Sequence, residues 1–154
     1  MAYQVLKAIH ILGIILFIGN IIITGFWKTF ANRTGQPEII AFAQRLVTIT
    51  DWLFTAGGVA LLVFGAYGMA YVNGWDLRGE RWLIWGQGLF IASGLIWLAI
   101  LIPVQIKQAR LARGFADGSA IPDQYWHLNR LWYFWGIIAT LLPLANLYWM
   151  IFKP

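Results

Sequence analysis

Cysteine is absent from this 154-residue chain, and charge is scarce: six acidic and eleven basic side chains make up only 11% of it. The missing thiols exclude disulfides, thiolate metal sites and cysteine nucleophiles. There are two histidines, His10 and His127, and no zinc-ligand spacing. No phosphate-binding glycine loop, nucleophile elbow or paired carboxylates inside an apolar run can be found, so hydrolase and kinase chemistry have no foothold. Soluble domains are about a quarter charged and about half apolar. With 60% hydrophobic residues, this chain reads as one whose solvent is lipid.

What is present is four apolar windows without a charge, Ala8–Trp27, Trp52–Val72, Trp82–Ile106 and Leu131–Phe152. Each meets the length of about 20 residues that a membrane-spanning helix needs. Spans are therefore expected over 6–27, 52–72, 82–106 and 128–152, in a single domain covering 1–154. The first run exceeds an h-region of about 7–15 residues and lacks a small-x-small cleavage site, so it is expected to stay in the mature protein. The fold class is an all-α integral membrane protein, an antiparallel four-helix bundle. "TGQPEIIAFAQRLVTITDW" adds an amphipathic helix before the second span, lying on the interface or running straight into that span. The short "NGWDLRGE" turn makes spans two and three antiparallel neighbours.

The net charge of +5 comes from basic residues flanking the apolar runs, with no single stripe, which speaks for the lipid bilayer as partner and against nucleic acid. Lys28, Arg33, Arg45, Lys107, Arg110, Arg113 and Arg130 fall on one side, and Lys7, Arg78, Arg81 and Lys153 on the other. By the positive-inside rule the chain is a multi-pass protein of a bacterial cytoplasmic (inner) membrane with both termini outside. Tryptophans near the span ends, among them Trp75, Trp82 and Trp149, fit aromatic belts.

Polar residues within the spans define the candidate site. His10, Gln87 and Asn146 share a depth of roughly 8 Å below the outer surface at about 1.5 Å per residue. On the first span His10, Gly13, Phe17, Asn20 and Thr24 fall within an arc of about 80°, one inward stripe. Gly58, Leu62, Gly65 and Met69 form a packing stripe on the second span, and Pro143 should kink the fourth by leaving the Ala139 carbonyl without its helical donor. Intramembrane ionisable groups are functional candidates by default. An imidazole near the thioethers of Met69 and Met150 could hold haem b iron or, less favoured, copper(I), making His10 the metal candidate. The other reading has His10, Asn20, Gln87 and Asn146 hydrogen-bonding to fix helix register, in a scaffold or small transport component without catalysis. His127, across about 30 Å of hydrocarbon from His10, reads as an interfacial residue, so no bis-histidine site forms within one chain. A homodimer that brings two His10 side chains to one haem stays open. Asp51 is expected to cap the second span, or to pair with Arg45 or Arg130.

The segments "LKAIHILG", "FWKTFANRTGQPEIIAFAQRLV", "DWLFTAGG", "WLAILIPVQIKQARLA" and "MIFKP" together resemble the bacterial integral membrane proteins catalogued as domain of unknown function 2269. That group is distantly similar to the copper-resistance protein D and membrane protoporphyrinogen oxidase groups. Ile9–His10 looks like the "LH" motif of the oxidases, where the histidine is associated with haem, and the resemblance implies a ligand role for His10. The oxidases carry a basic residue early in the third span, where this chain has Gln87, so the resemblance leaves simple haem binding without implying porphyrinogen oxidation, and redox or metal handling is the role expected of a site at His10.

Overall fold

The structure, a computed structural model, describes residues 1–153; Pro154, the last residue of the "MIFKP" segment, lies outside the described residues. Four helices are long and apolar enough to cross a membrane: α1 (Ala2–Thr34), α2 (Pro37–Asn73), α3 (Arg81–Gly114) and α4 (Asp123–Phe152). Glycines in the left-handed conformation stop two of them, Gly35 (φ 65°) after α1 and Gly74 (φ 64°) after α2. That backbone costs a residue without Cβ little. Pro37 opens α2 in the first turn, where its missing N–H has no partner to lose.

All four helices are longer than the membrane requires. At about 1.5 Å per residue, the 33 residues of α1 reach roughly 50 Å against about 30 Å of hydrocarbon. The surplus gathers at the end away from the termini, where 28–34, 37–50, 102–114 and 123–130 build a headpiece with its own small core of Ile40, Ala41, Ala112, Phe115 and Tyr125. Phe115 and Tyr125 meet edge to face there, 5.2 Å between centroids. The amphipathic stretch thus does not lie flat on the interface. It is the first half of α2, joined to the span through a π-helical segment, Asp51–Ala56.

A second π-helical turn, Trp97–Leu101, interrupts α3 at the same depth, with the Ile102 N–H bonded to the Trp97 carbonyl. Pro103 follows at once. Its ring would press on the carbonyl four residues back, and the widened turn is the relief that lets the helix continue. At Pro143 in α4 the helix also runs on, because Ser93 on α3 donates its hydroxyl to the Ala139 carbonyl at 2.7 Å and replaces the lost helical bond.

The helices pair as two hairpins, α1 with α2 and α3 with α4. Within the first, glycine permits backbone contact: a Cβ on Gly58 would stand 2.8 Å from the Phe17 nitrogen, and one on Gly65 would stand 2.7 Å from the His10 Cβ. The expected stripe of Gly58 and Gly65 is the seam, met by Gly13 on α1. Between the hairpins the picture changes. The headpiece halves of α2 and α3 pack together, yet no Cα of 57–73 comes within 8 Å of one of 81–96. Spans two and three are antiparallel, as the short turn requires, but it does not pack them; their facing side chains enclose open space. At the termini end Lys153 sits over Trp82 and Trp75, 4.4 and 5.3 Å from the ring centroids, and Tyr3 meets Trp75 edge to face. These rings form the anticipated aromatic belt.

Candidate functional site

Two cavities stack between the hairpins. The one nearer the termini has about 130 Å³ and is lined by His10, Tyr67, Gln87, Asn146 and Met150 among others. Phe17 borders both cavities and, with Phe90 edge to face at 6.2 Å, separates them. Sequence depth and helical phase therefore bring His10, Gln87, Asn146 and Met150 to one place. Met69 is not among them: it is buried one turn beyond Gly65 and lines neither cavity.

The three polar residues are not bonded to one another. His10 donates from Nδ1 to the Leu62 carbonyl at 2.8 Å, across the α1–α2 seam. Gln87 gives its amide to the Leu77 and Leu83 carbonyls, at 3.0 and 3.1 Å, and accepts the Tyr67 hydroxyl at 3.0 Å, which bridges the hairpins. Asn146 donates to the Gly86 carbonyl at 3.1 Å, between α3 and α4. Each ties its helix to a neighbouring backbone or loop. The Asn146 Oδ1 is buried without a partner.

Asn20 departs from the expected cluster. It is buried and donates to the Thr55 hydroxyl at 2.9 Å and to the Asp51 carboxylate at 3.4 Å, while accepting from Thr24. Asp51 is no helix cap, because α2 runs through it, and neither Arg45 nor Arg130, both exposed, bonds it. Its other donors are the Thr55 hydroxyl at 2.8 Å and the Trp97 indole at 3.4 Å. Asp51 and Trp97 belong to the two π-helical turns, so this contact joins them. Both residues line the second cavity, about 240 Å³, together with Thr24, Trp132 and Tyr133.

Nearer the headpiece, Lys28 is only 1% exposed. Its ammonium donates to the Gln44 Oε1 and to the Tyr125 hydroxyl, and lies 5.4 and 5.1 Å from the ring centroids of Tyr125 and Trp132. Gln105 and Gln108 are buried beside this level with amide atoms unpartnered. The sequence places Lys28 only among the basic residues that flank the spans. The signal for its burial was present: Asn20, Thr24 and Lys28 continue one stripe at four-residue spacing. His127 is exposed, as an interfacial residue would be.

The chain matches, over residues 4–154, the family described as predicted integral membrane protein, domain of unknown function 2269 (DUF2269). It belongs to that family. It is accordingly a multi-pass integral membrane protein, embedded in a lipid bilayer through its four helices. No curated protein and no solved structure matches this DUF2269 chain, so the more distant likeness to copper-resistance protein D and the protoporphyrinogen oxidases rests on Ile9–His10 alone. Haem b does not fit the site: a ligand of at least drug size needs a pocket of about 300–1,000 Å³, against about 130 Å³ here. Nor do three His, Asp or Glu side chains converge anywhere among the described residues.

Proposed function

We propose that this DUF2269 protein is a non-enzymatic membrane component that admits a small ligand to the interior of its bundle, a small binding or transport element in place of a redox enzyme. One observation carries the reading: two hairpins, each closely packed within itself, meet chiefly at the headpiece and are parted across the membrane by two stacked cavities. A scaffold alone has no use for such space, since lost packing contacts are uncompensated in lipid. The cavity walls carry a few polar groups among apolar ones, the usual composition of ligand sites.

Absence of native cysteine makes the test clean. Ala66→Cys lines the first cavity and Thr140→Cys the second, whereas Leu98→Cys faces lipid. Maleimides react with the thiolate, so labelling reports water at the side chain. Labelling of both cavity positions, with Leu98→Cys inert, is the expected result; equal inertness of all three would overturn the reading.

A second reading is favoured by the His10 tautomer. With Nδ1–H given to Leu62, Nε2 keeps its lone pair, and the Met150 thioether borders the same cavity. Imidazole and thioether suit copper(I), and a carbonyl-fixed Nδ1 is the usual support for an Nε2 ligand. Copper retained by the protein under reducing conditions and lost in both His10→Ala and Met150→Leu supports it; copper retained equally by both variants counts against it.

A further inference from the structure

We propose that the second cavity is a binding site for a small organic cation, an ammonium group carried on an apolar body. This deepens the ligand-binding reading above and rests on it.

The argument starts from charge. Asp51 is a carboxylate at the edge of the hydrocarbon, held by neutral donors, Thr55, Asn20 and Trp97 among them. The cation closest along the α1 stripe, Lys28, is committed elsewhere, to Gln44, Tyr125 and the face of Trp132. Hydrogen bonds from neutral groups orient the carboxylate but bring no opposite charge, and a carboxylate served only by the little water a small cavity holds remains costly. A ligand bearing the opposite charge removes that cost, so the site selects for one.

Aromatic walls add to the selection. Phe17, Trp97 and Tyr133 border the same space as Asp51, while the face of Trp132, the fourth ring there, is already taken by Lys28. Ring faces attract cations, ammonium groups included, more strongly when water is excluded. The volume of about 240 Å³ limits the ligand to a compact body, smaller than most drug-sized molecules.

Backbone geometry points to the same place. π-helical turns are rare and frequently mark functional sites. Here two of them, Asp51–Ala56 and Trp97–Leu101, are linked by the Trp97 indole and the Asp51 carboxylate at the cavity wall. Pro103 accounts for the second turn; no proline accounts for the first, which sets the direction of Asp51 and Thr55.

Access is from the lipid side. Ile22 on α1 and Ile137 and Leu141 on α4 border the cavity and are themselves exposed on the outer surface of the bundle. An ammonium reaching the cavity this way could belong to a free amphipathic amine or to a lipid headgroup such as ethanolamine.

Benzyltrimethylammonium and its uncharged carbon isostere neopentylbenzene separate charge from shape. Titrated against the full chain in non-ionic detergent with tryptophan fluorescence as readout, the cation is expected to saturate and the isostere to bind at least tenfold more weakly. Asp51→Asn should weaken the cation at least tenfold and leave the isostere unchanged. Should Asp51→Asn fail to fold, Tyr133→Leu serves instead, with a threefold or greater loss expected for the cation alone. Equal binding of the two probes, cation binding indifferent to the variant that folds, or no saturation, overturns the site. Competition by phosphatidylethanolamine and not by phosphatidylglycerol assigns the ammonium to a headgroup, and its lack assigns it to a free amine; either supports the site. Labelled cavity cysteines without cation binding sink this site and spare the ligand-binding reading. Inert cysteines without cation binding sink both.

Discussion

The Nδ1 of His10 stands 2.8 Å from the Leu62 carbonyl oxygen, directly beside the point where Gly65 lets α2 touch the His10 backbone. The histidine is thus part of a helix seam as well as of a cavity wall. His10→Ala removes the bond and is expected to cost about 1 kcal/mol. His10→Asn, whose amide nitrogen can replace Nδ1, should recover at least half of that. Unfolding in mixed micelles measures both, and equal loss in the two variants would exclude the hydrogen bond as the cause.

The same seam distinguishes glycines by position. Gly58→Val forces a side chain into the Phe17 backbone and should cost about 2 kcal/mol or more. A Cβ on Gly19 meets nothing within 4 Å, so Gly19→Ala is expected to be neutral or stabilising by up to about 1 kcal/mol. Thermal melts of the two variants side by side decide it; a Gly58→Val protein as stable as wild type would contradict the close approach.

Ser93 and Pro143 make a coupled pair. Ser93→Ala orphans the Ala139 carbonyl and should cost about 1 kcal/mol. In a Pro143→Ala background the helix supplies its own N–H to that carbonyl, and the same Ser93→Ala change should cost less than half as much. A double-mutant cycle with no coupling would show that the hydroxyl is not the substitute donor.

At Lys28 the asymmetry of buried charge governs the outcome. Gln44→Leu leaves the ammonium without its main acceptor and is expected to destabilise by about 3 kcal/mol. Lys28→Met removes the charge while keeping the length, and should be within about 1 kcal/mol of wild type. Denaturation of both variants tests the order; Lys28→Met as damaging as Gln44→Leu would mean the cation itself holds the headpiece together.

Orientation has a direct check. With seven basic residues toward the headpiece and four toward the termini, a periplasm-active reporter fused after Lys153 should be active and its cytoplasm-active counterpart silent. The opposite pattern inverts the bundle in the membrane.

The spans were legible because hydrocarbon thickness imposes length and apolarity on each segment independently, whatever its neighbours are. Depth and helical phase likewise placed His10, Gln87, Asn146 and Met150 around one cavity. What failed depends on more than one helix. Met69 shares the face of Gly65 but lies a turn away from the cavity, a difference that only the pairing of α1 with α2 determines. Asp51 preceded an apolar run and so looked like a cap, because the π-helical continuation of α2 through it carries no composition signal. Lys28 and Gln44 have the residue types of a solvated surface, and only the convergence of four overlong helices in the headpiece buries them.

The headpiece and the turn 74–80 hold the two hairpins together at both ends. Such a frame can part only as a slit does, in the middle, where the stacked cavities lie, and the Tyr67–Gln87 hydrogen bond is the side-chain link across the slit that parting would break first.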